Sequence, residues 1–145
     1  DAATSLRVSL GAGTESFEDA LLGPHTGEPS ATGDLAVRDR DGNWTYAFAV
    51  VVDDLRHGID LVVRGEDLLG DTARQIRLGR LLGRDDPPRF LHHPLIRRPT
   101  GHKLSKSDGD TGIRDLRVAG WTAADVRAEA ARAGHVPAAL VIPRG

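Results

Sequence analysis

Apolar and polar residues alternate in two short segments of the first third of the chain. Residues 6–10 and 35–39 both follow this two-residue period, which is typical of half-buried β-strands. The second segment runs into Asp41-Gly42, a turn-forming pair that predicts a hairpin. Frequent glycines and prolines between the two segments predict short strands and loops there.

Three later apolar segments are less uniform. Residues 46–55 contain a β-branched run that favours a strand, but the spacing of their apolar positions also suits a helix, so periodicity leaves both open. Residues 59–63 predict a buried strand of the kind found at the centre of parallel sheets. Residues 90–96, interrupted by Pro94, predict another extended segment.

Two capping-box patterns mark the starts of helices. They are Thr72 with Gln75 and Thr122 with Asp125. Apolar spacing then predicts helices that end near Gly83 and Gly134. The alternation of strand, helix, strand and loop predicts an α/β fold in which residues 103–107 follow a strand at the carboxyl side of a sheet, where such folds bind ligands.

Composition narrows the class of protein. The 145 residues are 39% hydrophobic and 28% charged, which is ordinary for one soluble domain or part of one. No apolar run reaches the ~18 residues of a membrane span, so a cytosolic location is expected. The chain has no cysteine and its histidines lack metal-ligand spacing, so neither disulfides nor a protein-bound zinc or other metal site is expected. Because the chain starts at Asp1 and contains no methionine, we expect a fragment or a processed piece.

The lysines are concentrated in one place. Lys103 and Lys106 lie within Lys103-Leu104-Ser105-Lys106-Ser107, whereas every other basic residue apart from histidine is arginine. A lysine ammonium is a mobile point charge that suits a phosphate, so the segment predicts a phosphate-binding loop; a solvated basic turn is the alternative. Residues 74–106 carry nine Lys/Arg and two Asp in a chain of net charge −2, which favours contact with a local polyanion such as ATP or a tRNA end.

Four motifs stand in order along the chain. They are Asp41-Gly42 followed by Tyr46, Ala49, Asp53 and Asp54; Val63-Arg64-Gly65-Glu66-Asp67-Leu68-Leu69; Asp71-Thr72-Ala73-Arg74-Gln75; and Lys103-Leu104-Ser105-Lys106-Ser107. Together they resemble the second half of the catalytic domain of glutamyl-tRNA synthetases. Phe17-Glu18-Asp19 followed by Gly23-Pro24, and the Asp67-Leu68-Leu69 ending, are also similar to the short glutamyl-Q tRNA(Asp) synthetases.

The resemblance implies an α/β fold: the second half of a class I synthetase Rossmann-like catalytic domain, a parallel sheet with flanking helices. A short β-rich N-terminal segment and a C-terminal helix would complete it. The implied parts are a connecting β-rich segment at 1–43, the Rossmann-like half with the lysine loop at 44–110, and the start of a helical stem-contact region at 111–145. The resemblance also favours a helix from about Tyr46 to Arg56.

The implied activity is activation of glutamate with ATP and Mg²⁺, followed by transfer to a tRNA. For the glutamyl-Q type, the acceptor is queuosine in tRNA(Asp). Lys106 and Lys103 would be catalytic, with Lys106 stabilising charge on the pyrophosphate leaving group. The ATP site would comprise Lys103, Leu104, Ser105, Lys106 and His93.

The glutamate pocket would contain Tyr46 and Arg64. A guanidinium can grip a carboxylate at two points, and a phenol supplies a directed hydrogen bond. The alternatives are an ion pair of Arg64 with Glu66 or Asp67, and a core tyrosine at position 46.

Three further expectations follow. Asp53 and Asp54 are adjacent and point apart, so a structural role is favoured over a paired site. The first class I signature, a His-x-Gly-His-like motif, is absent, which leaves two alternatives: a non-catalytic module that binds nucleotide, glutamate or tRNA, and a truncated standard glutamyl-tRNA synthetase. Half of a Rossmann domain would expose apolar surface, so self-association is also expected.

Overall fold

The computed structural model describes residues 4–95 and 112–134 and divides the chain into two compact units, Asp1–His92 and His93–Gly145. The described elements are β1 (Leu6–Val8), β2 (Glu15–Asp19), β3 (Gly23–Gly27), β4 (Leu35–Arg38), α1 (Tyr46–Arg56), β5 (Leu61–Gly65), a 3₁₀-helix (Glu66–Asp71), α2 (Thr72–Leu81), β6 (Arg89–His93), α3 (Ile113–Val118) and α4 (Ala123–Gly134). The α/β class is confirmed. The three-part division at 43 and 110 stays a prediction.

The described strands form two sheets. β1 pairs antiparallel with β4, and the larger sheet has the order β3-β2-β6-β5. In the larger sheet β2 is antiparallel to β3 but parallel to β6, with Asp19 opposite Phe90. The sheet is therefore mixed, and its register brings the carboxyl end of β2 beside β6.

The expected hairpin at Asp41-Gly42 is reduced to a turn. β4 ends at Arg38, which forms one isolated antiparallel bridge with Trp44 across that turn. Gly42 adopts a positive φ of 85°, a conformation that glycine accepts without steric cost.

The ambiguous segment that begins at Tyr46 forms helix α1, as the resemblance implied. Thr45 caps it: its Oγ1 accepts the Phe48 N–H at 3.4 Å and donates to the Ala36 carbonyl at 2.8 Å. The helix then packs into a core made of Leu10, Leu35, Val51 and Leu78. Burial of one helical face fixes the conformation that the pattern alone left open.

Residues 59–63 were expected to form a buried central strand, and this prediction was wrong in both the bounds of the strand and its burial. β5 starts at Leu61 and lies at the edge of the four-stranded sheet among the described strands. Val63 is 57% exposed, whereas Arg64 is buried. Because neighbouring residues of a strand face opposite sides, turning Arg64 inward turns Val63 outward. Exposed Val63 and Leu81 give self-association a physical basis, and it stays a prediction.

The capping box predicted for Thr72 and Gln75 was wrong. Asp71 is the residue that precedes α2, and its side chain makes no capping hydrogen bond. The 3₁₀-helix leads directly into α2, with the Thr72 N–H bonded to the Leu69 carbonyl. The side chains of Thr72 and Gln75 are instead buried.

Arginines of the cationic segment hold α2 in place. Glu15 accepts hydrogen bonds from Arg77 Nε at 2.6 Å and Arg80 Nε at 3.1 Å. Burial alone would raise the pKa of Glu15, but these two arginines outweigh it and the pKa is lowered. Arg74 and Arg84 donate to backbone carbonyls of loops. These four arginines therefore serve the fold, and a polyanion contact of the cationic segment stays a prediction.

Gly27 allows β3 to pack closely against α2. A Cβ added at Gly27 would lie 2.8 Å from the Cβ of Ala73. Gly27→Ala should therefore lower the free energy of unfolding by about 1–3 kcal/mol, seen as a lower urea midpoint with an unchanged slope. Gly70→Ala is the matched control, because nothing lies within 4 Å of its added Cβ. Equal midpoint shifts in the two variants would contradict this packing.

In the second unit the predicted capping box is confirmed. Thr122 Oγ1 accepts the Asp125 N–H at 3.2 Å, and Asp125 Oδ2 accepts the Thr122 N–H at 2.8 Å. α4 follows and ends at Gly134. Of the helices in the described parts of the chain, none is both long and apolar enough to span a membrane.

Candidate functional site

The two residues expected to contact glutamate lie close together. Tyr46 is the first residue of α1, and Arg64 is the fourth residue of β5. Burial lowers the pKa of the Arg64 guanidinium, and the nearby Tyr46, which hydrogen-bonds to it, opposes that shift together with Asp71. Arg64 is 8% exposed, whereas Tyr46 is 60% exposed. The alternative of a core tyrosine was therefore wrong: an open phenol stands beside a buried cation.

The Arg64 guanidinium is bonded on three sides. Its Nε donates to His92 Nε2 at 2.9 Å, and its Nη1 donates to Gln75 Oε1 at 2.5 Å. Its Nη2 donates to Thr72 Oγ1 at 2.8 Å and to the Leu68 carbonyl at 3.4 Å. Among the described residues, these partners take four of the five N–H groups, so the N–H that remains on Nη1 is the one available to the Tyr46 hydroxyl or to a ligand.

This arrangement changes the expected binding mode. A two-point grip on a carboxylate needs two free N–H groups on adjacent nitrogens, and here His92, Gln75, Thr72 and Leu68 leave at most one, on Nη1. The physical reason is that Thr72 and Gln75, which were expected to cap α2, bind the guanidinium instead. An ion pair of Arg64 with Glu66 or Asp67 stays a prediction.

A buried acid–imidazole pair lies behind Arg64. His92 is 0% exposed and Asp19 is 2% exposed. Asp19 Oδ2 lies 2.6 Å from His92 Nδ1 and accepts the His92 backbone N–H at 3.0 Å. Asp19 Oδ1 accepts the N–H groups of Leu21 and Leu22 at 3.0 and 2.9 Å. Every face of the carboxylate is thus satisfied.

Hydrogen-bond chemistry assigns the protons of this pair. Arg64 Nε can only donate, so His92 Nε2 accepts and the imidazole proton is on Nδ1, where it is donated to Asp19. Burial lowers the pKa of His92, and the charge of Arg64 adds to that effect against the opposing influence of Asp19. Burial alone would raise the pKa of Asp19, but the hydrogen bonds from His92 and two backbone amides lower it. The pair is a neutral imidazole on an ionised carboxylate.

Aromatic rings cover one face of the guanidinium. Arg64 Cζ lies 5.3 Å from the centroid of the Phe90 ring, which stacks on His92 with centroids 6.0 Å apart. Phe17 closes the edge of Phe90 at 5.6 Å. The rings exclude water from this side of the cation and add a cation–π contact.

Sequence reasoning missed most of this cluster. It selected His93 rather than His92, and it gave Asp19 no role. One signal was present: Phe90 and His92 are two residues apart on an apolar strand and therefore share a face. Likewise, Phe17 and Asp19 share a face of β2, so a buried acid there needed a partner.

His93 is the one further expected site residue that the described part of the chain contains. His93 Nδ1 donates to the Pro94 carbonyl at 2.9 Å, and a role for His93 in ATP binding stays a prediction. Lys103, Leu104, Ser105 and Lys106 lie outside the described residues.

Asp53 and Asp54 differ in their surroundings. Asp53 is exposed and Asp54 is half-buried, and burial followed by the neighbouring Asp53 charge raises the pKa of Asp54 against the pull of Arg84 and Arg64. Within residues 4–95 and 112–134, no group of three His, Asp or Glu side chains is placed to hold a metal ion. The structural role favoured for this pair stays a prediction.

Acidification should destabilise the fold through His92. Its pKa in the folded protein is below the ordinary value of 6.5, so below that pH the unfolded chain binds more protons than the folded one. This contribution to stability is complete above pH 6.5 and falls as the pH drops through that value. Asp19 adds a similar loss only below its ordinary pKa of 3.8.

Urea unfolding from about pH 7.5 to 5, on the wild type and on His92→Gln, measures this effect. The wild type should lose stability more steeply, because glutamine does not titrate. Identical pH slopes would contradict the assignment of a buried neutral imidazole.

Comparisons with known proteins show the family of the chain. The family model for class I tRNA synthetases (E and Q), catalytic domain, matches residues 1–137. The chain belongs to this family. The resemblance to glutamyl-tRNA synthetases that the four motifs indicated is confirmed.

Several relatives of this synthetase family are similar in sequence. The glutamyl-Q tRNA(Asp) synthetase of Bordetella bronchiseptica is 54% identical over 109 residues, which cover 74% of this chain and 34% of the relative. That of Nitratidesulfovibrio vulgaris is 44% identical over 135 residues, or 92% of this chain and 41% of the relative. The glutamate–tRNA ligase of a Synechococcus species is 45% identical over 107 residues, or 73% of this chain and 22% of the relative.

The fold is also found in solved structures. A crystal structure of a glutamate tRNA ligase from Elizabethkingia meningosepticum, in complex with its amino acid, matches with a TM-score of 0.62 and 33% identity. The match covers 73% of this chain and 21% of that ligase. The chain thus spans less than half the length of these synthetase relatives.

Proposed function

We propose that the chain is the second half of the catalytic domain of a glutamate-activating tRNA synthetase. The observation that carries the proposal is the convergence of Tyr46 on a buried Arg64, which offers a carboxylate a fixed cation and a directed hydroxyl. Relatives named for glutamate support the choice of substrate. In this proposal Tyr46 and Arg64 bind the glutamate.

The proposed reaction joins the glutamate carboxylate to the α-phosphate of ATP, releases pyrophosphate, and then transfers the glutamyl group to a tRNA. Lys103 and Lys106 would stabilise the charge that grows on the pyrophosphate, an effect that is stronger in the transition state than in the ground state. Leu104, Ser105 and His93 would line the ATP site. Mg²⁺ would arrive with the phosphates as part of the nucleotide substrate.

The acceptor is a finer part of the proposal. The relative with 54% identity carries the glutamyl-Q tRNA(Asp) name, which favours queuosine of tRNA(Asp) over the end of tRNA(Glu). Transfer of labelled glutamate to tRNA(Asp) with and without queuosine, compared with tRNA(Glu), separates the two. Transfer to tRNA(Glu) alone would support the standard glutamate–tRNA ligase instead.

Pyrophosphate exchange into ATP tests the activation step. Exchange should depend on glutamate, should not occur with glutamine, and should need no tRNA. Folding is checked by circular dichroism on the same sample. Equal exchange with glutamine and glutamate would contradict the proposed amino-acid specificity.

A second candidate function is binding without catalysis. It is favoured by the pairing of Tyr46 with a buried Arg64, which can bind a carboxylate without activating it. A folded chain that binds glutamate in an NMR titration but supports no exchange would favour this alternative. Exchange by the chain itself would exclude it.

A further inference from the structure

The buried cluster behind Arg64 extends the proposed function, on which this inference rests. We propose that Asp19 and His92 are positioning residues, which hold the Arg64 guanidinium in one orientation and present its Nη1 edge, together with the Tyr46 hydroxyl, to the carboxylate of an amino-acid substrate. Neither residue needs to touch the substrate. Both act through the hydrogen bond between His92 Nε2 and Arg64 Nε.

The first step of the argument is geometric. Arg64 is anchored by His92 at Nε, by Gln75 at Nη1 and by Thr72 at Nη2, so rotation about its last bonds would break several hydrogen bonds together. Phe90 supports the flat face of the group. The side chain is therefore ordered before any ligand arrives, and binding does not need to order it.

The second step explains why Asp19 is needed, although His92 lies between it and the Arg64 guanidinium. If His92 carried its proton on Nε2, two donors would face each other across the 2.9 Å that separate it from Arg64 Nε. Asp19 prevents this, because its ionised carboxylate accepts the Nδ1 proton at 2.6 Å and leaves the Nε2 lone pair for the arginine. The pairing of Asp19 with Phe90 in the parallel strands β2 and β6 sets this contact.

The third step is electrostatic. A carboxylate bonded directly to Arg64 would compete with the substrate for the guanidinium. The neutral imidazole of His92 separates the two charges, so Asp19 offsets the buried cation without occupying the Nη1 edge of Arg64. Other titratable groups also face these residues. Tyr46 and Asp54 of α1 and Asp71 of the 3₁₀-helix act on Arg64, and His25 of β3 acts on His92.

Nitrogen NMR of the full chain tests the positioning without any ligand. We expect the Nδ1–H tautomer at His92 and a scalar coupling between Arg64 Nε and His92 Nε2 through their hydrogen bond. The Nε2–H tautomer, an imidazolium at neutral pH, or no coupling would overturn the proposal. This measurement needs no substituted protein, so a variant that fails to fold does not remove the test.

Asp19→Asn tests the link to the ligand. An asparagine cannot accept all four hydrogen bonds that Asp19 now accepts, so the coupling should disappear and glutamate affinity in an NMR titration should fall by about 10–100-fold. Glu18→Gln is the matched control, because Glu18 is an exposed acid on the same strand. This substitution should leave the scalar coupling and the glutamate affinity unchanged. If Asp19→Asn does not fold, His92→Gln, which interrupts the same link, takes its place with the same expected losses.

A double-mutant cycle separates positioning from general loss of structure. In an Arg64→Lys background, Asp19→Asn should cause no further loss of glutamate affinity, because the group that it positions is gone. Additive losses, or an unchanged affinity in Asp19→Asn alone, would overturn the proposal. Intact coupling in a wild type that binds no glutamate would overturn the ligand role together with the proposed function, while leaving the geometry of the cluster in place.

Discussion

Replacing Arg64 with lysine should weaken glutamate binding by about 100-fold, the largest effect on affinity expected from a single conservative change in the described residues. The charge is kept, but its geometry is lost. Three nitrogens of the guanidinium bond His92, Gln75 and Thr72 at the same time. A lysine has one nitrogen, and its ammonium cannot reach these partners and also a ligand carboxylate.

The measurement is the dissociation constant for glutamate, taken from chemical-shift changes in an NMR titration of the wild type and the variant. Arg56→Lys is the matched control, because Arg56 is an exposed arginine in the last turn of α1. This variant should bind glutamate with wild-type affinity. Urea unfolding of both variants shows whether the weakened binding reflects loss of the fold. A folded Arg64→Lys protein with wild-type affinity would refute the role assigned to Arg64.

The sequence indicated that Arg64 belongs to the candidate site, but it did not reveal the hydrogen-bond partners that hold its guanidinium. The motif around Arg64 was enough to place the residue in a family pocket. Its partners come from strands and helices that lie between 4 and 28 residues away along the chain, and no local pattern records them. A buried cation requires hydrogen-bond partners, but the sequence did not identify which residues they are.

Thr72 and Gln75 show how a local pattern can mislead. Their spacing is that of a capping box, and the same spacing at Thr122 and Asp125 does form one. The difference is that a 3₁₀-helix precedes α2, and a buried guanidinium competes for both side chains. A charged donor in a buried site outweighs an exposed capping bond.

Helix α1 illustrates the opposite case. Its β-branched residues were compatible with a strand as well as a helix. The resemblance to a family correctly predicted the helix. The structure supplies the physical reason: Val51 on one face of the helix packs against Leu10 and Leu78, which lie far away in sequence. Tertiary packing of this kind overrides intrinsic propensity and cannot be seen in a single window of residues.

Replacing Lys106 with alanine should lower glutamate-dependent pyrophosphate exchange by about 10²–10³-fold, the largest effect expected on the chemical step. The reason is that the proposed role of its ammonium is fulfilled in the transition state, where negative charge moves onto the leaving pyrophosphate. The rate of exchange should therefore fall while the affinity for glutamate, measured separately, stays the same. Arg114→Ala, which removes an exposed cation from α3, is the control.

Lys106→Arg sharpens this prediction. An arginine restores the charge but not the compact, mobile ammonium that can follow a phosphate as its charge shifts, so exchange should recover only in part. Full recovery would mean that charge alone is required and would remove the reason given for two lysines in a chain that otherwise uses arginine. Unchanged exchange in Lys106→Ala would instead make the segment a solvated basic turn, and the phosphate-binding role of the loop would have to be abandoned.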